Sequence, residues 1–141
     1  MLRGKSLKEK TNMHKCSCLC EAVTLEVEAS LDPAEACHCT KCRKWSGHLG
    51  VTVEVPRSSV SIQGAENIKW FHSSKKVRRG FCATCGTPLF FDPIDKEKHD
   101  WIAISMGAFD TPTETKMGLH IFVAEKGDYY EITDDLPQNE Y

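Results

Sequence analysis

Hydrophobic and polar residues alternate in short runs along most of this chain. Residues 22–29, AVTLEVEA, set Val23, Leu25 and Val27 against Thr24, Glu26 and Glu28, the period-two pattern of a half-buried strand. Residues 49–55, LGVTVEV, repeat the pattern and stop at Pro56. The runs VSIQG, IKWFHS, TPLFFD and WIAISMG follow, separated by Gly, Pro, Asp, Asn and Ser punctuation. Toward the end, HIFVAEKGDYYEI reads as two strands around a Lys126-Gly127-Asp128 turn. No segment sustains a 3.6-residue period with caps, although DPAEACHC has room for one helical turn after Asp32. The expected class is mostly β, with no repeat and no low-complexity tract.

Composition narrows the picture. A chain of 141 residues is most economically one domain, and 40% hydrophobic with 27% charged residues does not indicate disorder. A net charge of -2 argues against general binding of polyanions, so nucleic acid is not the expected partner. Residues 1–13, MLRGKSLKEKTNM, are Lys-rich and aperiodic; they read as a flexible N-terminal extension to a domain over residues 14–141. No apolar h-region follows that basic start, and no apolar run approaches the roughly 18 residues of a membrane span. The expected location is the cytoplasm. In that reducing compartment clustered cysteines serve as metal ligands or redox groups more often than as disulfides.

Eight cysteines are many for such a chain, and they fall in three clusters: Cys16, Cys18 and Cys20 in CSCLC; Cys37, Cys39 and Cys42 in CHCTKC; Cys82 and Cys85 in CATC. Zinc takes about four soft or borderline ligands in a tetrahedron, and a Cys-x-Cys or Cys-x-x-Cys pair supplies two from one tight turn. Two sulfurs of the first cluster with Cys82 and Cys85 would close a structural site across a loop of about sixty residues. Such sites supply on the order of 10 kcal/mol of apparent binding energy, which for the apo chain is folding energy. Spacing leaves open which two of Cys16, Cys18 and Cys20 take part. A thioredoxin-like role for CATC is disfavoured, because GTPLFF after it reads as turn and strand rather than helix.

The central trio can grip one metal from one side. Three ligands with an open position is the pattern of catalytic zinc, whereas structural sites are closed. Zn²⁺ with three thiolates carries a net charge of about -1 and is a poor activator of water. It is better suited to lowering the pKa of an exogenous thiol and presenting it to a carbonyl carbon. The competing possibility is a second structural zinc closed by His38, His48, His120 or Cys16; spacing alone leaves both open. His38, wedged between two ligand cysteines, is expected to turn its ring away from a shared metal.

From residue 16 to residue 138 the chain resembles the glutathione-dependent formaldehyde-activating enzymes, whose domain also occurs in centromere protein V. Four motifs carry the resemblance in order: SCLCEAVTLEVE, CHCTKCRKWSG, SSKKVRRGFCATCGTPLFF and HIFVAEKGDYYEITDDLPQ. It implies a compact zinc-stabilised β-tent of small antiparallel sheets and two zinc ions per chain. The structural ion would lie on Cys18, Cys20, Cys82 and Cys85, and the catalytic ion on Cys37, Cys39 and Cys42. Cys16 stands where the family usually has glycine and is expected to be a spare thiol. The implied activity is condensation of glutathione, or another small thiol, with formaldehyde or a related small aldehyde, formally a carbon–sulfur lyase reaction. Three departures stand out: Glu21 replaces the glycine after the opening Cys-x-Cys, MGAFD replaces a Gly-Thr-Leu-Asp type of segment, and Tyr129 replaces a common Trp.

Arg43, Lys44, Lys75, Lys76, Arg78 and Arg79 flank the clusters and are candidates for clamping the carboxylates of glutathione, Arg79 foremost. Trp45, beside the open metal position, is a candidate pocket wall; Trp70 and Trp101 are expected in the core. His48 and His120 are candidates for a general acid. The rival reading is a zinc-stabilised binding module, without catalysis, that contacts nucleic acid or protein through the KKVRR and KCRK patches.

Overall fold

The alternating runs become strands wherever one face can be buried, and ten form among the described residues. These are β1 (Met13–Ser17), β2 (Thr24–Glu28), β3 (Ala34–Cys37), β4 (Gly50–Pro56), β5 (Val60–Gln63), β6 (Ile68–His72), β7 (Val77–Cys82), β8 (Pro88–Pro93), β9 (Trp101–Ser105) and β10 (Met117–Ile121). The structure is a computed structural model that describes residues 12–141. Most of the expected N-terminal extension therefore lies outside the described residues, and Met13 already opens β1.

Two sheets divide the strands. A three-stranded antiparallel sheet has the order β1-β2-β5, and a seven-stranded sheet has the order β10-β3-β4-β9-β8-β7-β6. Every pairing in the larger sheet is antiparallel except β10 with β3. Val23, Leu25 and Val27 of the small sheet's side meet Val53, Val55, Ile102, Ile104, Leu89 and Phe90 in one buried cluster. Strand alternation then decides what the large sheet shows on its other face. With Val53 and Val55 turned inward, Thr52 and Glu54 turn outward, and the register continues Glu54 to Ala103, Ala103 to Phe91 and Phe91 to Arg79. This second face carries the candidate site.

Local chemistry departs from the sequence expectations at three places. DPAEACHC holds no helical turn; residues 34–37 form β3, with Ala34 and Ala36 buried in alternation. The helix lies further on, as α1 (Thr40–Ser46). Cys39 caps its N-terminus by accepting from the Cys42 amide, and Gly47 ends it at φ 90°. The C-terminal hairpin does not form. β10 stops at Ile121, Phe122 turns left-handed at φ 56°, and residues 123–125 make a 3-10 turn, so Tyr129 and Tyr130 lie outside any strand. Finally, KKVRRGFC was legible as a basic patch and not as a strand, yet it forms β7, paired on both sides in the large sheet. Gly80 is required there, because a Cβ would sit 2.8 Å from the Trp70 ring.

One ion-pair cluster fastens the far side of this sheet. Asp92, buried on β8, accepts from Arg57 at 2.5 Å and from Arg78 at 2.8 Å. The Arg78 guanidinium also lies 3.8 Å from the Trp70 ring centroid, a cation–π contact.

Candidate metal centres and reaction pocket

Cys18 and Cys20 lie in the turn after β1, Cys82 ends β7, and Cys85 lies in the turn before β8. The four sulfurs all lie within 4.8 Å of one another. The Cys18–Cys20 separation is 3.7 Å and the Cys20–Cys82 separation is 3.8 Å. Sulfurs placed tetrahedrally at a Zn–S bond of about 2.3 Å would be roughly 3.8 Å apart, so the donor set fits zinc. Backbone amides support the sulfurs as they do in metal knuckles: Val23 donates to Cys18, and Thr84 and Cys85 donate to Cys82. Hydrogen bonds from the Thr87 side chain and backbone pull the Cys85 thiol down to about 5. The turn tolerates Glu21 only by holding it at φ 66°, so this departure from glycine is met with backbone strain. Gly86, at φ 83°, takes the same conformation freely.

Cys16 belongs to neither cluster. It is buried on β1 opposite Phe109, and burial, then the charge of Asp110, pushes its thiol up to about 12.

Cys37, Cys39 and Cys42 form the second group, again with sulfurs within 4.8 Å of one another. Cys37 ends β3, Cys39 caps α1, and Cys42 sits in the first turn of that helix, its amide donating to Cys39 Sγ at 3.3 Å. Gly50 faces Cys37 across β4; a Cβ on it would stand 3.0 Å from Cys42 Cβ. Both terminal nitrogens of Arg79 approach Cys42 Sγ at 3.7 Å, and its Nε donates to Ser73 Oγ at 3.1 Å. A hydrogen bond from Cys37 and the charge of the buried Arg79 bring the Cys42 thiol down to about 5, against the effect of burial. Cys37 is pushed far up by the same hydrogen bond and by burial, so in this pair Cys42 carries the charge and Cys37 the proton.

No fourth side chain among the described residues joins the trio. Each histidine considered as a closing ligand has ring nitrogens engaged elsewhere. His38 Nδ1 is 2.6 Å from Tyr130 Oη, His38 Nε2 is 2.9 Å from His120 Nδ1, and His120 Nε2 is 3.0 Å from both carboxylate oxygens of Asp134. Asp134, as a carboxylate, only accepts, which fixes the direction of the line: His120 donates to Asp134, His38 to His120, and Tyr130 to His38. The His38 ring is thus engaged by Tyr130 and His120 and does not join the sulfur trio. His48 Nδ1 pairs with Tyr129 Oη at 2.7 Å.

The trio opens on a cavity of about 920 Å³ bounded by the outward face of the large sheet. Its walls include Trp45, Phe91, Trp101, Val77 and Phe122, with Arg79 beside Cys42 and with Glu35 and Glu54 also on the lining. Burial raises the Glu54 carboxyl, and the nearby charges of Glu35 and Asp32 add to that. Trp45 is a pocket wall as its position implies, and Trp70 packs on the core against Phe90. Trp101 departs from expectation: it borders the cavity, its ring parallel to Phe91. Of the basic candidates, Lys44, Lys75 and Lys76 are exposed, Arg78 is held by Asp92 and Trp70, and Arg79 lies against Cys42. Tyr130, Asp134, Phe91 and Ser73 carried no local signal, since only the chain's long-range pairing brings them to the site.

Comparisons with known proteins show the family and the fold. A sequence profile of the family described as "Glutathione-dependent formaldehyde-activating enzyme" matches residues 13–125. An uncharacterized lyase of Schizosaccharomyces pombe is 32% identical over 75 residues, covering 53% of this chain and 54% of the relative. A putative glutathione-dependent formaldehyde-activating enzyme of Penicillium rubens is 31% identical over 78 residues, covering 54% of this chain and 41% of the relative. The chain therefore spans about half the length of these relatives or less. A crystal structure of a Rhodobacter sphaeroides protein shares the fold with a TM-score of 0.57 at 23% identity, covering 73% of this chain and 98% of that one. No helix among the described residues is long and apolar enough to cross a membrane.

Proposed function

The chain belongs to the glutathione-dependent formaldehyde-activating enzyme family, and on that premise we propose that it is a zinc-dependent carbon–sulfur lyase-type enzyme joining a thiol to a small aldehyde. Glutathione and formaldehyde are the reactants the family implies. The observation that carries this reading is the contrast between the two cysteine groups: four sulfurs closed on one another, and three facing a cavity.

In the reaction the thiol sulfur bonds to the aldehyde carbon, the carbon–oxygen π bond breaks, and the proton lost by sulfur ends on the new alkoxide oxygen. Zinc at the trio would supply an electrophilic fourth position that lowers the pKa of the incoming thiol. The chain's own residues do the remainder. Cys37, Cys39 and Cys42 would hold the ion from one side, Arg79 offsets their negative charge from 3.7 Å, and Trp45 and Phe91 flank that cation. Cys18, Cys20, Cys82 and Cys85 would hold a structural ion tying the turn after β1 to the end of β7.

Metal analysis of the purified protein should give two zinc ions per chain. Glutathione should alter the spectrum of only one site after cobalt substitution, and exchange between glutathione and aldehyde should exceed the uncatalysed rate. Two unaffected sites with no acceleration would leave a zinc-stabilised domain without this activity.

A further inference from the structure

The cavity is far larger than formaldehyde needs. That molecule has two heavy atoms, little more than a water with its share of about 30 Å³, so nearly all of the cavity's 920 Å³ is left to the thiol and to any substituent the aldehyde carries. The surplus has a definite character. Beyond Arg79 the wall is built from one row of outward-facing positions, Arg79, Phe91 and Ala103, with Trp101 beside them. Phe91 and Trp101 present parallel rings, 1° apart in tilt with centroids 6.2 Å apart, an aromatic platform on the cavity wall. The platform starts close to the reacting end: the Phe91 centroid is 5.2 Å from the Arg79 guanidinium that touches Cys42 Sγ.

Charge on this platform disfavours the carboxylates of glutathione. Its carboxylate neighbours are Glu35 and Glu54, with the His99 ring edge-on to Trp101, while Arg79 is already committed to Cys42 and Ser73. Lys41, an exposed cation elsewhere on the lining, is available to the thiol's peptide. An uncharged ring is the group that gains most beside two aromatic rings and loses least beside two carboxylates. Phe122 lines the cavity from a left-handed backbone position that a bulky residue adopts only at a cost.

We propose that the aldehyde taken by this site is an aromatic one, its ring seated on Phe91 and Trp101 and its carbonyl carbon directed at the thiol held near Cys42. The inference rests on the thiol–aldehyde reading above and specifies the second reactant. Atoms balance as before: carbon–sulfur bond formed, carbonyl π bond broken, thiol proton moved to oxygen, with no oxidant or reductant.

The test uses the metal-loaded protein with glutathione and either benzaldehyde or formaldehyde, following exchange by NMR. Acceleration with benzaldehyde should exceed that with formaldehyde. Trp101→Ala should lower the benzaldehyde-to-formaldehyde specificity ratio about tenfold, mainly through KM, as expected for losing a stacking partner, and Trp101→Phe should restore most of it. Ligand-observed NMR of benzaldehyde alone should show the same weakening without turnover, in variants whose circular dichroism matches the parent. Formaldehyde accelerated but benzaldehyde neither bound nor accelerated would overturn this inference and leave the thiol–aldehyde reading standing. Acceleration with neither aldehyde would overturn that reading and this inference with it.

Discussion

The Arg79 guanidinium lies against the Cys42 sulfur, both of its terminal nitrogens at 3.7 Å, in a pair that is almost fully buried. A cation so placed favours three gathered thiolates that would otherwise repel one another. Arg79→Met should weaken retention of the second metal ion by about 10–100-fold, the range seen when a metal site loses an outer partner. Arg79→Lys should recover part of the loss, because an ammonium keeps the charge but not the two-pronged geometry. Competition with a chromogenic chelator reads both, and the Cys₄ ion serves as internal control.

Removing one sulfur from each cluster should separate the two roles. Cys85→Ser should abolish the folded state or its recovery in soluble form, since Cys20 and Cys82 are 62 residues apart and the cluster joins them. Cys39→Ser should stay folded and carry one metal ion. Metal content per chain together with circular dichroism distinguishes these outcomes; a Cys39→Ser protein with both ions and full activity would refute the assignment.

Two glycines predict opposite phenotypes. Gly50→Ala places a methyl 3.0 Å from Cys42 Cβ and 3.3 Å from its sulfur, so it should lower affinity at the second site while stability changes little. Gly80→Ala drives a methyl into the Trp70 ring at 2.8 Å and should destabilise the domain by about 1–3 kcal/mol, the usual range for overpacking. Urea unfolding and metal titration, run on both variants, should rank them in reverse order.

The line from Tyr130 to Asp134 gives a pH dependence of known sign. Hydrogen bonding to His120, and to the Leu136 amide, holds the Asp134 carboxyl below its ordinary value of 3.8. Its stabilising contribution is therefore complete above that value and fades as pH falls through the depressed folded one. His38, held down mainly by burial and then by His120, acts in the same direction: stability drops once pH falls below about 6.5, where the unfolded histidine gains a proton. Asp134→Asn should be less stable than the parent at neutral pH, and the gap should close in acid. Unfolding midpoints of the two proteins between pH 7.5 and 3 measure it.

Sequence periodicity located β2, β4, β5, β6, β8 and β9, because each sets one apolar face against the core. It missed β7, where Arg78, Arg79 and Gly80 interrupt the pattern for reasons visible only in three dimensions: Asp92, Cys42 and the Trp70 ring. It also missed β3, whose Ala34 and Ala36 are too small to mark a strand. The cysteine spacings foretold both clusters, and the family resemblance selected Cys18 and Cys20 over Cys16. Tandem aromatic residues at 129 and 130 suggested a strand, but their hydroxyls are engaged by His48 and His38 instead. The cavity walls were the least legible part, since residues from β4, β7, β8 and β9 meet there without sharing any local motif.

The parallel pairing of β3 with β10 has a consequence for biosynthesis. His38 and its partner His120 are separated by 82 positions, so the turn bearing Cys37 and Cys39 leaves the ribosome long before the strand that flanks it. During that interval its thiols face the nascent chain's surroundings unshielded, open to oxidation or to capture by a passing metal. A metal captured then would meet the trio without its flanking strand, whereas the four-cysteine group is incomplete until Cys85 has emerged.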